Sequence, residues 1–197
     1  DELLERYRDD ERVLSIGGTN FMFDGPPSAD SYHLSKYSPT WGWATWRRAW
    51  RLYDPAMTEW PRLRDSGWLR DEFADPNAVA YWHYTFEQAH RDRNAWDRIW
   101  LFACLLHDAL HAVSNVNLIS NIGVREDATH TRPEHGWALA NLPMRRMEFP
   151  LRHPSAVAAN DRADRFTDKL LFGGMVTEMF RRVRHTRRRA QATVAQG

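Results

Sequence analysis

Val13-Leu14-Ser15-Ile16-Gly17-Gly18 decides the fold class. A short apolar run closed by two glycines reads as a buried strand with a hard stop. Upstream, residues 2–11 are polar with Leu3, Leu4 and Tyr7 on one side, which predicts an amphipathic helix feeding into that strand. Downstream, residues 19–40 hold Gly25-Pro26-Pro27, Ser28 and Pro39 without a sustained period and read as one long loop. A loop of that length in a compact domain is usually functional or mobile.

Farther out the helical period takes over. Trp43, Trp46, Trp50 and Tyr53 fall at helical spacing, which predicts a helix from about Ala44 with one broad aromatic face, broken by Pro55 and Pro61. Residues 78–90 read as a second helix, and a third runs from Ala95 to about Asp108 with Asn94 as its cap. Residues 111–116 (His-Ala-Val-Ser-Asn-Val) read as a strand, and residues 117–135 as a polar loop turning at Gly123. The expected class is therefore α/β, helix-rich, with a few short strands. Residues 136–162, with Pro143, Pro150 and Pro154, read as an extended strap. Residues 163–197 read as an amphipathic helix, with Phe166, Leu170, Phe180 and Val183 on one face, ending in a basic disordered tail.

Charge is unevenly spread. Of 27 basic residues, six arginines (Arg181, Arg182, Arg184, Arg187, Arg188 and Arg189) lie beyond residue 180 with no acid among them. The rest of the chain carries 21 basic and 26 acidic residues, a net of −5, so nucleic acid is not an expected partner. An amphipathic helix followed by arginines permits weak docking on an anionic membrane surface; an ordinary packing helix with a solvated end is the plainer reading. The lone cysteine, Cys104, excludes an internal disulfide, sits in an apolar run as a small buried hydrophobe, and fits a cytoplasmic setting. The chain opens on Asp1-Glu2-Leu3-Leu4, in what reads as the middle of a helix, and is expected to be a fragment.

Three segments carry chemistry. In Trp41-Gly42-Trp43-Ala44-Thr45-Trp46 the glycine lets backbone approach a ligand between two indole walls; a helix start with core tryptophans is the alternative. In Asn94-Ala95-Trp96-Asp97, a carboxylate at a helix N-terminus between aromatics can act as general base toward a sugar hydroxyl; Asn94 and Asp97 also have capping-box spacing. In the stretch from Asn121 to Thr131, Arg125 can neutralise phosphate, Glu126 and Asp127 add carboxylates, and His130 can ligate a divalent ion or touch a diphosphate; a solvated loop is the alternative. No Gly-x-Gly-x-x-Gly, Walker loop or Gly-x-Ser-x-Gly elbow is present, and His107 and His111, though four apart, lack the rest of a zinc motif.

In this order the segments resemble the C-terminal, acceptor-side half of bacterial GT-A-fold, family-2-like glycosyltransferases (nucleotide-diphospho-sugar transferases), with a looser similarity to the eukaryotic N-acetylglucosaminyltransferase I group. The likeness covers roughly residues 1–135 and rests most on the Trp41-Gly42-Trp43 segment and on Asp127-Ala128-Thr129-His130-Thr131. It implies hexosyl or N-acetylhexosaminyl transfer from a nucleotide-diphospho-sugar donor to a hydroxyl on a glycan or other acceptor. It implies Asp97 as the base and His130 as a ligand to a divalent ion, manganese or magnesium. Gly18, Asn20, Trp41, Gly42, Trp43, Trp96 and Arg125 are then expected to line the substrate. Arg98 stands where relatives commonly carry a second acid, leaving Glu126 or Asp127 as substitute bases, and the Asp-x-Asp strand end of the donor half is not in the chain. The fragment alone is therefore expected to be inactive. A non-catalytic, aromatic-rich glycan-binding module is the competing expectation.

Overall fold

The computed structural model describes residues 1–22, 25–121 and 142–172, with side chains described through Lys169 in the last helix. Its framework is a four-stranded mixed sheet with seven helices among the described residues. Helix α1 (Glu2–Arg6) leads into β1 (Val13–Gly17), followed by β2 (Tyr32–Ser35) and β3 (Trp43–Thr45). Next come α2 (Arg47–Trp50), α3 (Trp60–Leu63), α4 (Trp68–Glu72), α5 (Pro76–Asp92) and α6 (Trp96–Leu106). Strand β4 (Leu110–Ser114) and helix α7 (Asp161–Phe172) complete the order.

The strands lie in the order β2-β4-β1-β3, with β4 parallel to β1 and both outer strands antiparallel to their neighbours. Because alternate residues face opposite sides of a sheet, the row Ile16–Ala112–Leu34 gives one face its apolar character. That face packs with Tyr7, Val13 and Tyr32. The adjacent row, Ser15–His111–Ser35, is polar and just as buried. An irregularity between Val13 and Ser15 frees Leu14 to pack with Ala49, Trp100, Cys104 and Ala109, which joins the sheet to the helices.

Helices α3 to α6 enclose a separate aromatic core around Trp60, Phe73, Trp82, Phe86, Ile99 and Phe102. Helix α5 starts where it does because Asp75 accepts a hydrogen bond from the Asn77 amide and Pro76 stands at its first position. Its inward residues Ala78, Trp82, Thr85, Phe86 and Ala89 recur every three or four positions. From Leu142 to Asn160 the chain forms neither helix nor named strand, bends at residues 149–150 and 155–158, and touches β2 through a bridge between Leu34 and Ala159. Helix α7 is tied down where Ser35 Oγ donates to Asp164 Oδ1 (2.6 Å) and the Tyr37 hydroxyl donates to Asp168. Burial raises the Asp164 carboxyl above the usual range.

Several expectations are corrected. The first helix spans Glu2–Arg6 and not residues 2–11. The long loop after Gly18 contains β2, whose four residues are all buried. Trp43 and Ala44 belong to a strand, the following helix starts at Arg47, and Pro61 lies in the first turn of α3, where its missing N–H costs nothing. Asn94 does not cap α6: Ala95 stands at the cap and no side chain bonds there. The far part of the final helix and the basic tail lie outside the described residues.

Candidate functional site

The glycine stop after β1 begins the site. Gly18 N–H donates to Gly42 O (2.9 Å), and Leu118 N–H donates to Gly18 O (2.9 Å), so three loops distant in sequence are laced together. Thr19 Oγ1 adds a bond to Trp41 O (2.7 Å), and the Phe21 ring meets Trp41 edge to face. Gly42 has φ +59°, and a Cβ there would stand 2.2 Å from Ile119 Cδ1, so both conformation and space call for glycine. Gly18 is tight in the same way: a Cβ there would stand 3.1 Å from both Gly42 O and Ile119 Cγ1.

Asn20 is buried and its amide is spent within the protein: Nδ2 donates to Ser114 O (2.6 Å) and Oδ1 accepts from the Met22 amide (2.7 Å). In the fold Asn20 acts as a clamp holding the loop. Asn117 does the same for the other side. Its Oδ1 accepts from the Asn20 amide (3.1 Å), its Nδ2 donates to Ile119 O (2.8 Å) and Pro143 O (3.3 Å), and its own carbonyl accepts from the Arg145 amide (2.8 Å). The chain thus leaves this point before Asn121 and returns to it at Leu142, fastened at one stem.

On this frame sits an aromatic cluster. Trp43 stacks on Trp96 (centroids 5.6 Å, planes 17° apart) and leans on Trp50 (6.0 Å) and Trp100 (5.7 Å). Trp50 in turn stacks on Tyr53 at 4.6 Å. Trp100 is fully buried and acts as the anchor, whereas Trp96 and Trp50 keep 44% and 40% of their surface exposed. Such ring pairs contribute about 0.5–1.5 kcal/mol each beyond area burial. Trp46, expected on the same aromatic face, turns instead to the apolar side of the sheet and donates its indole N–H to Leu4 O.

Asp97 follows Trp96 in the first turn of α6, half-exposed, where the helix dipole favours a negative charge. Its carboxylate takes part in no hydrogen bond or ion pair among the described residues, and neither Asn94 nor Arg98 engages it. The Tyr53 hydroxyl is held above its ordinary pKa, first by burial and then by the negative charge of Asp97. Tyr81 is raised too, by burial foremost, with Asp97 a lesser contributor. Both tyrosines thus feel the Asp97 charge, Tyr81 as the smallest of its influences. Sequence reasoning missed both, because they arrive from α2's end and from α5, and nothing in local spacing links them to residue 97.

The expected substrate residues Gly18, Trp41, Gly42, Trp43 and Trp96 are thus connected in space to one another, and Asp97 adjoins them. Arg125 and His130, with Glu126 and Asp127, lie outside the described residues. Among the described residues no three His, Cys, Asp or Glu side chains gather to hold a metal ion. His107 is exposed and His111 is buried in β4, so this pair forms no ligand set. No described helix is long and apolar enough to cross a membrane. Compared with known proteins, the chain matches no family model, no curated protein sequence and no solved structure.

Proposed function

We propose that this chain is the acceptor-side half of a GT-A-type glycosyltransferase that moves a sugar from a nucleotide-diphospho-sugar to an acceptor hydroxyl. The observation that carries the reading is the meeting of Trp43, from the glycine-tryptophan segment, with Trp96 at 5.6 Å, next to the unengaged carboxylate of Asp97. The exposed Trp96 indole beside Trp43 suits the apolar C–H faces of a sugar ring, and an unengaged carboxylate next to it suits the hydroxyls. In this reading Asp97 accepts the proton of the acceptor hydroxyl as that oxygen bonds to the anomeric carbon. The bond from that carbon to the diphosphate breaks, and the nucleoside diphosphate leaves with the electron pair. Gly18 and Gly42 hold the backbone close, while Trp41, Trp43 and Trp96 wall the acceptor. A divalent ion is implied by the resemblance, but among the described residues no set of ligands gathers to hold one.

The test is acceptor-dependent release of nucleoside diphosphate by the full-length protein. Asp97→Asn is expected to lower turnover by about 10²–10⁴-fold, the usual share of a general base, with an unchanged melting temperature. Normal turnover in that variant removes Asp97 from the mechanism. The second reading, a non-catalytic glycan-binding module, is favoured by the exposure of Trp50 and Trp96. It predicts sugar binding that needs no nucleotide, is lost in Trp96→Ala and persists in Asp97→Asn.

A further inference from the structure

The two most exposed large hydrophobic side chains among the described residues are not in the aromatic cluster. They are Met144 (61%) and Phe149 (73%), both on the strap. Arg145 and Arg146 stand between them, exposed, and neither guanidinium is engaged in a hydrogen bond or ion pair among the described residues. The nearby acid, Glu148, lies 3.9 Å from Arg152, so that pair is balanced and the segment keeps two unneutralised positive charges.

The segment is also held in place. On one side the Arg145 amide donates to Asn117 O (2.8 Å) and Asn117 Nδ2 donates to Pro143 O (3.3 Å). On the other, the Ser31 amide donates to Arg152 O (2.8 Å), the Arg152 amide donates to Ser31 Oγ (2.9 Å) and Arg152 Nε donates to Ala29 O (2.8 Å). Between these pins residues 143–150 point outward, with only Met147 half-buried. A loop pinned at both ends therefore exposes two apolar groups and two free arginines within residues 144–149, with its backbone already ordered before contact. Apolar side chains interleaved with unpaired basic ones match a surface that is apolar below and negative above.

The geometry points to the strap, through Met144, Arg145, Arg146 and Phe149, as a docking surface for an anionic phospholipid bilayer. The arginines meet the headgroups while the thioether and the phenyl ring enter the boundary beneath them. This inference is independent of the glycosyl-transfer reading.

Co-sedimentation of the whole chain with vesicles tests it. The protein is expected to bind equimolar phosphatidylcholine and phosphatidylglycerol, to bind pure phosphatidylcholine much more weakly, and to lose affinity as salt rises. Arg145→Gln with Arg146→Gln is expected to weaken binding roughly fivefold per arginine, and Met144→Ser with Phe149→Ser by roughly tenfold or more. All four side chains are exposed, so the melting curves of these variants should match that of the parent. Absence of binding to the anionic vesicles, or equal binding to both compositions, overturns the proposal. Binding by the variant carrying all four substitutions equal to that of the parent also overturns it.

Discussion

His111→Asn should change how stability depends on pH while the fold persists. His111 lies in the middle of the parallel β1–β4 pair, wholly enclosed. Its Nδ1 is 2.7 Å from Ser15 Oγ, which in turn is 3.0 Å from Ser38 Oγ, and its Nε2 has no partner. A second proton on this ring would be buried without an acceptor, and burial pulls its pKa from 6.5 down to about 3. The unfolded chain therefore takes up a proton between those values that the folded chain refuses. The stability tied to this group is fully present above the unfolded pKa and is lost as pH falls through the window from 6.5 toward about 3. The slope is about 1.4 kcal/mol per pH unit, so lowering pH from ~7.5 to ~5 costs about 2 kcal/mol through this ring alone. Asparagine keeps a polar group near Nδ1 and does not titrate. Urea unfolding of both proteins at the two pH values isolates the effect. His33, also lowered by burial, and the hydrogen-bonded carboxylates Asp10, Asp54 and Glu87 contribute alike to both. An equal loss of stability in the two proteins would refute the argument.

Other outcomes follow from single contacts. Gly42→Ala should cost about 1–3 kcal/mol in chemical denaturation, from the positive φ and the clash with Ile119, and trimming Ile119 to Ala in the same chain should not restore the part due to φ. Asp75→Ala removes the cap of α5 and should cost about 1 kcal/mol by the same measurement. Cys104 is buried and its thiol is pushed well above the usual range, so a thiol reagent should label it only as fast as the protein opens; rapid labelling of the native protein would contradict its placement. The loss of turnover in Asp97→Asn stands beside these as the functional test.

The strongly periodic parts of the chain were legible in sequence. Strand β1, helices α5 and α6 and strand β4 lie within a few residues of their predicted places: the buried residues of α5 recur every three or four positions, and Gly17-Gly18 closes the apolar run of β1. Strand β2 was hidden because it is only four residues long and lies in a stretch marked by Gly25-Pro26-Pro27, Ser28 and Pro39, which reads as loop. The spacing of Trp43, Trp46, Trp50 and Tyr53 imitates a helix, yet Trp43 reaches the aromatic cluster from a strand, and Trp46 leaves it for the other side of the sheet. For the site, local pattern indicated the glycine-tryptophan segment and Asp97. That Trp43 would stack on Trp96, or that Tyr53 and Tyr81 would feel the Asp97 charge, depends on tertiary packing no local window contains.

The stem at Asn117 has a consequence for how this scaffold can diversify. One side-chain amide and one main-chain carbonyl close the chain between Ile119 and Pro143 before anything carried between them is specified. Every group that makes this closure belongs to residues 117–119 or 143–145, so substitutions confined to residues 122–141 leave the hydrogen bonds of the stem in place.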